Sequence, residues 1–127
     1  MTSRRVTGAR YGYFIAAVLF FVGVLAQTYI AGMAVFIDPS HWELHTTFVH
    51  LIEVLFIPLF IFGFVGQFSR LLKGAPIVLF LLIGIQYMTA EAFGSLVAAI
   101  HPVNAVVIAF VTLWMPKESW EWRNISA

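Results

Sequence analysis

Two histidines, His45 and His101, each lie near the start of an apolar segment. His45 follows Ser40 by five residues, and His101 follows Ser95 by six. Serine is a common N-cap residue, so both imidazoles are expected at a similar depth in different helices of one bundle. Two neutral imidazoles on opposite faces of a macrocycle are what bis-histidine haem requires. The spacing is therefore compatible with a haem whose iron is bound by His45 and His101.

The same spacing is equally compatible with a structural role. Near helix starts, each ring could simply hydrogen-bond the backbone or interfacial water. His41 and His45 lie one turn apart and could instead chelate a metal ion with the nearby Glu43. These alternatives stay open at the level of the sequence, and no catalytic residue is predicted.

Gln27 and Gln86 precede the two histidines along the chain. We expect both glutamines to contact the cofactor, although bridging between helices would also account for them. Small residues on the face of Gln27, Gly23 among them, are expected to leave room for the ring. The order Gln then His occurs twice, which predicts a parallel internal repeat.

Three ionisable residues in the apolar segments are assigned to proton movement or to hydrogen bonds around the site: His50, Glu53 and Glu91. An unpaired carboxylate inside a membrane would take up a proton, so both glutamates are expected to be neutral or paired. His50 lies about 140° around the helix from His45, so the two do not readily serve one ligand. The expected partner of His50 is Glu53, three residues further on.

The composition indicates the environment of these residues. Of 127 residues, 61% are hydrophobic and 10% are charged, which is typical of a membrane domain. The formal net charge of +1 provides no basic field for nucleic acid. Cysteine is absent, so thiolate nucleophiles and Cys-ligated metal sites are excluded.

Four apolar segments are long enough to cross about 30 Å of hydrocarbon as helices. They lack the period-two alternation of a membrane β-barrel. The sequence therefore predicts one all-α domain over residues 1–127, an up-down transmembrane four-helix bundle. The predicted spans are 11–37, 41–69, 76–93 and 96–115.

Local signals suggest where these spans begin and bend. Ser40 and Glu43 have the spacing of a capping box at the start of the second span. Pro76 is expected at the first helical position of the third span. We place the last turn at Gly94–Ser95, because a turn further on would leave too short a fourth span. Pro58 should kink the second span.

The positive charges predict the orientation. With these spans, all seven Lys and Arg residues fall on one side of the membrane, so the positive-inside rule places both termini in the cytoplasm. A bacterial inner membrane is the expected location. The seven residues are Arg4, Arg5, Arg10, Arg70, Lys73, Lys117 and Arg123.

The chain resembles one four-helix haem-binding half of haem A synthase. Residues 86–114 are similar to the second hairpin of such a half, and residues 27–62 are similar to the first. In that family a histidine near the outer start of the second and fourth helices ligates b-type haem, which implies this role for His45 and His101. Haem A synthase has an arginine directly after the first ligand and a catalytic glutamate three residues before it. Here Thr46 and Trp42 stand at those positions, so the resemblance implies a haem pocket without haem A synthesis.

Residues 31–36, 45–48 and 101–104 also resemble a family of small four-span bacterial membrane proteins. This second resemblance implies the fold and the site, and no activity.

The expected function is electron transfer as a subunit or partner of a larger membrane oxidoreductase or respiratory assembly. Two histidines saturate the iron, which favours electron transfer over oxygen chemistry. The lipid bilayer and other membrane subunits, or further copies of the chain, are the expected partners. Two alternatives remain: a cofactor-free accessory subunit, and a small conductor of protons or metal ions. Whether the protein has enzymatic activity by itself is left open.

Overall fold

The computed structural model describes residues 3–92 and 94–122, and this part of the chain is all-α. It contains four spans that are long and apolar enough to cross a membrane. The second span consists of two helices, and a short 3-10 helix, Leu96–Ala99, opens the fourth. The α-helices are α1 Arg4–Phe36, α2 His41–Glu53, α3 Phe56–Val65, α4 Arg70–Glu91 and α5 Ile100–Trp120.

The spans pack as the four-helix bundle that the sequence predicts. α1 contacts α2 and α3 on one side and α5 on the other, while α4 contacts α5 and, less extensively, α3. The core therefore forms mainly between α1, α3, α4 and α5. Its largest fully buried apolar side chains are Tyr13, Phe20, Leu59, Leu79 and Met115.

α2 is packed less completely than the other helices. Ile52 is its only buried residue in the described structure. Within residues 3–92 and 94–122, α2 packs on α1 and makes no extensive contact with α4 or α5. Most of α2 is therefore outside the core of the bundle.

The second span is broken at Val54 and Leu55, close to the predicted kink. Pro58 has no N–H, so it cannot donate the usual helical hydrogen bond to the carbonyl of Val54. The chain instead forms tighter bonds at this point, from Leu55 N to Ile52 O at 3.0 Å and from Ile57 N to Val54 O at 3.3 Å. The span also ends at Val65 and not at residue 69, because Gln67 has a positive φ of 54°.

The prediction that Pro76 starts the third span is wrong. α4 begins at Arg70, where the side chain of Ser69 accepts a hydrogen bond from Leu72 N, and Pro76 lies inside the helix. A proline there leaves the carbonyl of Leu72 without its helical donor. The hydroxyl of Tyr13 donates to this carbonyl at 2.7 Å and satisfies it from α1.

The bounds of the first and fourth spans also differ from the prediction. α1 begins at Arg4 and not at residue 11, because the side chain of Ser3 caps the helix by accepting from Val6 N. The turn lies at Gly94–Ser95 as predicted, and Gly94 has a φ of 88° that suits glycine. α5 then continues through Pro116 to Trp120. The predicted end of the third span, Phe93, lies outside the described residues, as does Arg123.

The predicted capping box at Ser40 does not form. Ser40 has helical backbone angles, and its side chain makes no cap hydrogen bond. Asp38 provides the side-chain acceptor at this turn instead, because its Oδ1 accepts from Ser40 N at 2.8 Å. Asp38 O also lies 2.9 Å from Nδ1 of His41.

Candidate functional site

His45 in α2 faces Gln27 in α1. Nδ1 of His45 lies 3.2 Å from the main-chain oxygen of Gln27. The side-chain Nε2 of Gln27 donates in return to the main-chain oxygen of His45 at 2.7 Å. The ring of Trp42 packs edge-on against the imidazole, with ring centroids 5.4 Å apart. These contacts hold a partly buried imidazole in one orientation.

His101 in α5 is held in the same way by α4. Its Nδ1 lies 3.0 Å from the main-chain oxygen of Gln86. The hydroxyl of Thr89 is 3.2 Å from the same nitrogen and itself donates to main-chain oxygens of α4. Thr89 is buried, whereas the imidazole is only partly buried.

These contacts determine which ring nitrogen of each histidine is free. A carbonyl oxygen can only accept, so Nδ1 of His45 and Nδ1 of His101 must carry the proton. In a neutral imidazole, Nε2 then has a lone pair. Neither Nε2 has a hydrogen-bond partner among the described residues. Histidines that bind metals commonly donate their other ring N–H to a carbonyl in this manner.

The two glutamine side chains differ in their partners. Oε1 of Gln86 accepts from Nδ2 of the buried Asn104 at 2.8 Å, and the same Nδ2 donates to Leu82 O at 2.8 Å. Oε1 of Gln27 is buried and has no donor among the described residues. Oε1 of Gln27 can therefore accept a further hydrogen bond, whereas the side chain of Gln86 joins α4 to α5.

The two hairpins thus repeat one arrangement, in which a helical glutamine presents its main-chain oxygen to a histidine of the next span. His45 and His101 stand on α2 and α5, in the second and fourth spans. Their helices, α2 and α5, do not pack closely on each other in the described structure.

The expectation that Gly23 leaves room for a macrocycle is wrong. A Cβ at Gly23 would lie 3.0 Å from Cγ1 of Ile52, so the side chain of Ile52 fills this place. Gly23 therefore serves the contact between α1 and α2.

The predicted contact between His50 and Glu53 is present, and the structure adds a third residue. His50 Nδ1 lies 3.4 Å from Glu53 Oε2. The hydroxyl of Tyr87 in α4 donates to Glu53 Oε1 at 2.5 Å and lies 3.2 Å from His50 Nδ1. The sequence analysis missed Tyr87, although a tyrosine hydroxyl within an apolar helix is a group that requires a partner.

Glu91 does not join this cluster. It is an exposed residue at the end of α4 and has no hydrogen bond or ion pair within the described residues. The metal chelate of His41, Glu43 and His45 is not assembled either. In residues 3–92 and 94–122, no group of three or more His, Asp or Glu side chains is arranged to hold a metal ion.

The fold and the sequence define the class of the protein as an all-helical bundle with four spans able to cross a membrane. The chain belongs to the family of unknown function DUF6220, which matches residues 27–93. This match includes Gln27, His45 and Gln86 and ends before His101. No curated protein matches the chain, and no solved structure matches it.

Proposed function

We propose that the chain is a bis-histidine b-type haem protein that passes electrons within a larger membrane assembly. The observation that carries this proposal is the matched state of His45 and His101. Each ring donates Nδ1–H to a main-chain oxygen and keeps Nε2 available. The resemblance to a haem-binding half of haem A synthase supports the same two ligands.

The donor set fits haem better than it fits a bare metal ion. Haem iron needs only two protein ligands because the macrocycle supplies the others, whereas zinc sites use three or four protein ligands. Carbonyl partners on Nδ1 fix the tautomer and make the imidazole a better electron donor. The spare Oε1 of Gln27 needs a hydrogen-bond donor, which on a b-type haem is a protonated propionic acid group.

When bound, haem supplies reversible one-electron transfer. The residues of the chain would orient it and limit water. His45 and His101 would hold the iron, and the apolar spans would exclude water from it. Both termini would lie in the cytoplasm of a bacterium, with the histidines in the outer half of the inner membrane, as the positive charges predict.

An absorption spectrum tests the proposal. Protein purified in detergent from cells with ample haem should show the split bands of low-spin b-type haem when reduced, at one haem per chain. His45→Ala and His101→Ala should each abolish this spectrum. His41→Ala is the matched control: His41 is one turn from His45 but contacts Asp38 outside the spans.

Three results would argue against the proposal. The first is colourless protein from cells with ample haem, and the second is a low-spin spectrum that survives both alanine substitutions. The third is colourless protein that still copurifies with larger membrane subunits, which would favour the cofactor-free accessory subunit. The incomplete packing of α2 is the feature on which that alternative rests.

A further inference from the structure

A cluster of three polar side chains joins α2 to α4 away from His45 and His101. Tyr87 donates to one oxygen of Glu53, and His50 contacts both of these residues. The rings of His50 and Tyr87 stack with centroids 6.1 Å apart. The single proton of the Tyr87 hydroxyl is used on Glu53, so Oε2 of Glu53 and Nε2 of the exposed His50 retain acceptor capacity.

This cluster lies at the end of an apolar cleft. A cleft of about 470 Å³ is lined by Glu53, Tyr87 and Gly84 together with apolar side chains. It shares Phe56, Ile57 and Phe80 with a neighbouring apolar cleft of about 350 Å³ that reaches Ile61. The eight residue steps from Glu53 to Ile61 correspond to about 12 Å along a helix. The two clefts therefore form one elongated groove, which begins at Glu53 at the end of α2 and runs between α3 and α4, and which we call the α2–α4 groove.

The groove is accessible from the bilayer. Ile57 and Phe80, which line both clefts, are 62% and 64% exposed. Glu53 lies twelve residues into its span, about 18 Å along the helix, and so is near the middle of a bilayer core of about 30 Å. A phospholipid head group remains at the interface and does not reach this depth. The occupant must dissolve in the hydrocarbon and still form hydrogen bonds at one end.

We infer that the α2–α4 groove binds an isoprenoid hydroquinone or its quinone. A hydroquinone ring offers hydroxyl donors to Oε2 of Glu53 and Nε2 of His50, and the quinone accepts from Tyr87 when that hydroxyl turns away from Glu53. The branched apolar tail would lie along the aromatic and branched side chains of the groove. A simple acyl chain would leave the polar cluster without a ligand. This binding site goes beyond the proposed haem function and does not depend on it.

Photolabelling tests the inference. The probe is a decyl-tailed benzoquinone with an azide on the ring, applied to the full chain in lipid nanodiscs, and labelled peptides are identified by mass spectrometry. Labelling should saturate and should fall on the residues of α2, α3 or α4 beside the groove. Unlabelled decyl-benzoquinone should compete with it, whereas dodecanol, which has a tail and one hydroxyl, should not.

Two glycines of α4 provide matched variants. A Cβ at Gly84 or at Gly74 meets no atom within 4 Å, so a leucine fits at either position, but only Gly84 lines the groove. Gly84→Leu should weaken labelling about tenfold, and Gly74→Leu should leave it unchanged. A double variant, Glu53→Gln with Tyr87→Phe, removes the carboxyl group and the hydroxyl and should weaken competition by decyl-benzoquinone without blocking the groove.

Equal competition by dodecanol would overturn the inference, because the groove would then accept any lipid tail. Normal labelling of Gly84→Leu would also overturn it. If Gly84→Leu does not fold, as judged by circular dichroism, unchanged competition in the Glu53→Gln, Tyr87→Phe variant decides against the inference. Repeating the labelling in His45→Ala separates this site from the haem, since that variant should lose haem and keep the quinone.

Discussion

Gln27 and His45 are joined by two hydrogen bonds that run in opposite directions between α1 and α2. The side chain of Gln27 donates to the main chain of His45, and the ring of His45 donates to the main chain of Gln27. The second bond ends on a main-chain oxygen. A substitution at position 27 therefore removes this bond only if it moves the backbone. The orientation of the imidazole is therefore fixed by the helix and not by the glutamine side chain.

Gln27→Leu should change stability only slightly. The substitution removes the bond to the His45 carbonyl, an interaction of about 0.6 kcal/mol for an average interhelical pair in a membrane. It also removes Oε1, which is buried without a donor and costs free energy in the folded state. The two effects oppose each other, so the free energy of unfolding should fall by less than about 1 kcal/mol. Unfolding in mixed detergent micelles, followed by circular dichroism, measures it.

A larger loss would show that Oε1 of Gln27 has a donor in the purified protein. A protonated propionic acid group of a bound haem is one candidate for that donor. In protein stripped of haem, or in the His101→Ala background, Gln27→Leu should then lower the free energy of unfolding by only a small amount.

Tyr13→Phe should destabilise the bundle because it leaves one buried carbonyl without a hydrogen-bond donor. The hydroxyl of Tyr13 is the donor to Leu72 O, which Pro76 leaves without a helical partner. Phenylalanine fills the same space, so the loss of about 1 kcal/mol should come from the unsatisfied buried carbonyl. Denaturant or detergent unfolding gives the value.

The proline provides the control for this prediction. Pro76→Ala restores an N–H at that position, so the Leu72 carbonyl no longer needs Tyr13. In the Pro76→Ala background, Tyr13→Phe should therefore cost less than it does alone. Equal costs in both backgrounds would mean that the hydroxyl acts on something other than this carbonyl.

Asp38 should titrate below its ordinary range. It lies between the first two spans, where hydrogen bonds from the hydroxyl and then the N–H of Ser40 hold the pKa of its carboxyl below the usual value, with a smaller contribution from His41. A pKa that is lower in the folded state means that ionised Asp38 stabilises the turn above the unfolded pKa. This stabilisation is lost as the pH falls through the folded pKa. Carboxyl carbon NMR measures the titration.

Ser40→Ala tests the cause of the Asp38 shift. It removes the hydroxyl and keeps the N–H, so the pKa of Asp38 should rise toward its ordinary value without reaching it. An unchanged pKa would assign the effect to the main-chain bond and to His41 alone.

Hydropathy predicted the spans well but not their ends, and the reason lies in particular residues. The polar segment Arg4–Arg10 is helical because Ser3 caps it, and hydropathy does not register a helix that extends past the lipid. Pro58 broke its span as its missing N–H requires. Pro76 did not start its helix, because a tyrosine from another span satisfies the freed carbonyl. That compensation depends on tertiary contact, which a sequence pattern does not show.

The candidate site was also predictable only in part, because some of its contacts depend on how the helices pack. The order along the chain predicted a repeat of a glutamine followed by a histidine, and the structure brings the members of each pair into contact, while their role toward a cofactor stays a prediction. However, each glutamine contacts its histidine ring through its main chain, and no residue type signals that. Tyr87 and Thr89 were missed because their roles require α4 to lie against α2 and α5.

Asn104→Leu should destabilise the second hairpin more than Gln27→Leu destabilises the first. Asn104 is buried, and its Nδ2 donates both to Leu82 O and to Oε1 of Gln86. Leucine leaves Oε1 of Gln86 without a donor in a partly buried place, at a cost of about 1–2 kcal/mol. A second substitution, Gln86→Leu, removes the orphaned oxygen, so the double variant should be more stable than Asn104→Leu alone. The main-chain oxygen that holds His101 is present in all these chains, so none of the substitutions removes it. Under the proposed function, haem content should therefore fall only as far as the stability of the fold falls. Additive losses in the double variant would show that Asn104 and Gln86 act independently, and that the register of α5 against α4 is set elsewhere.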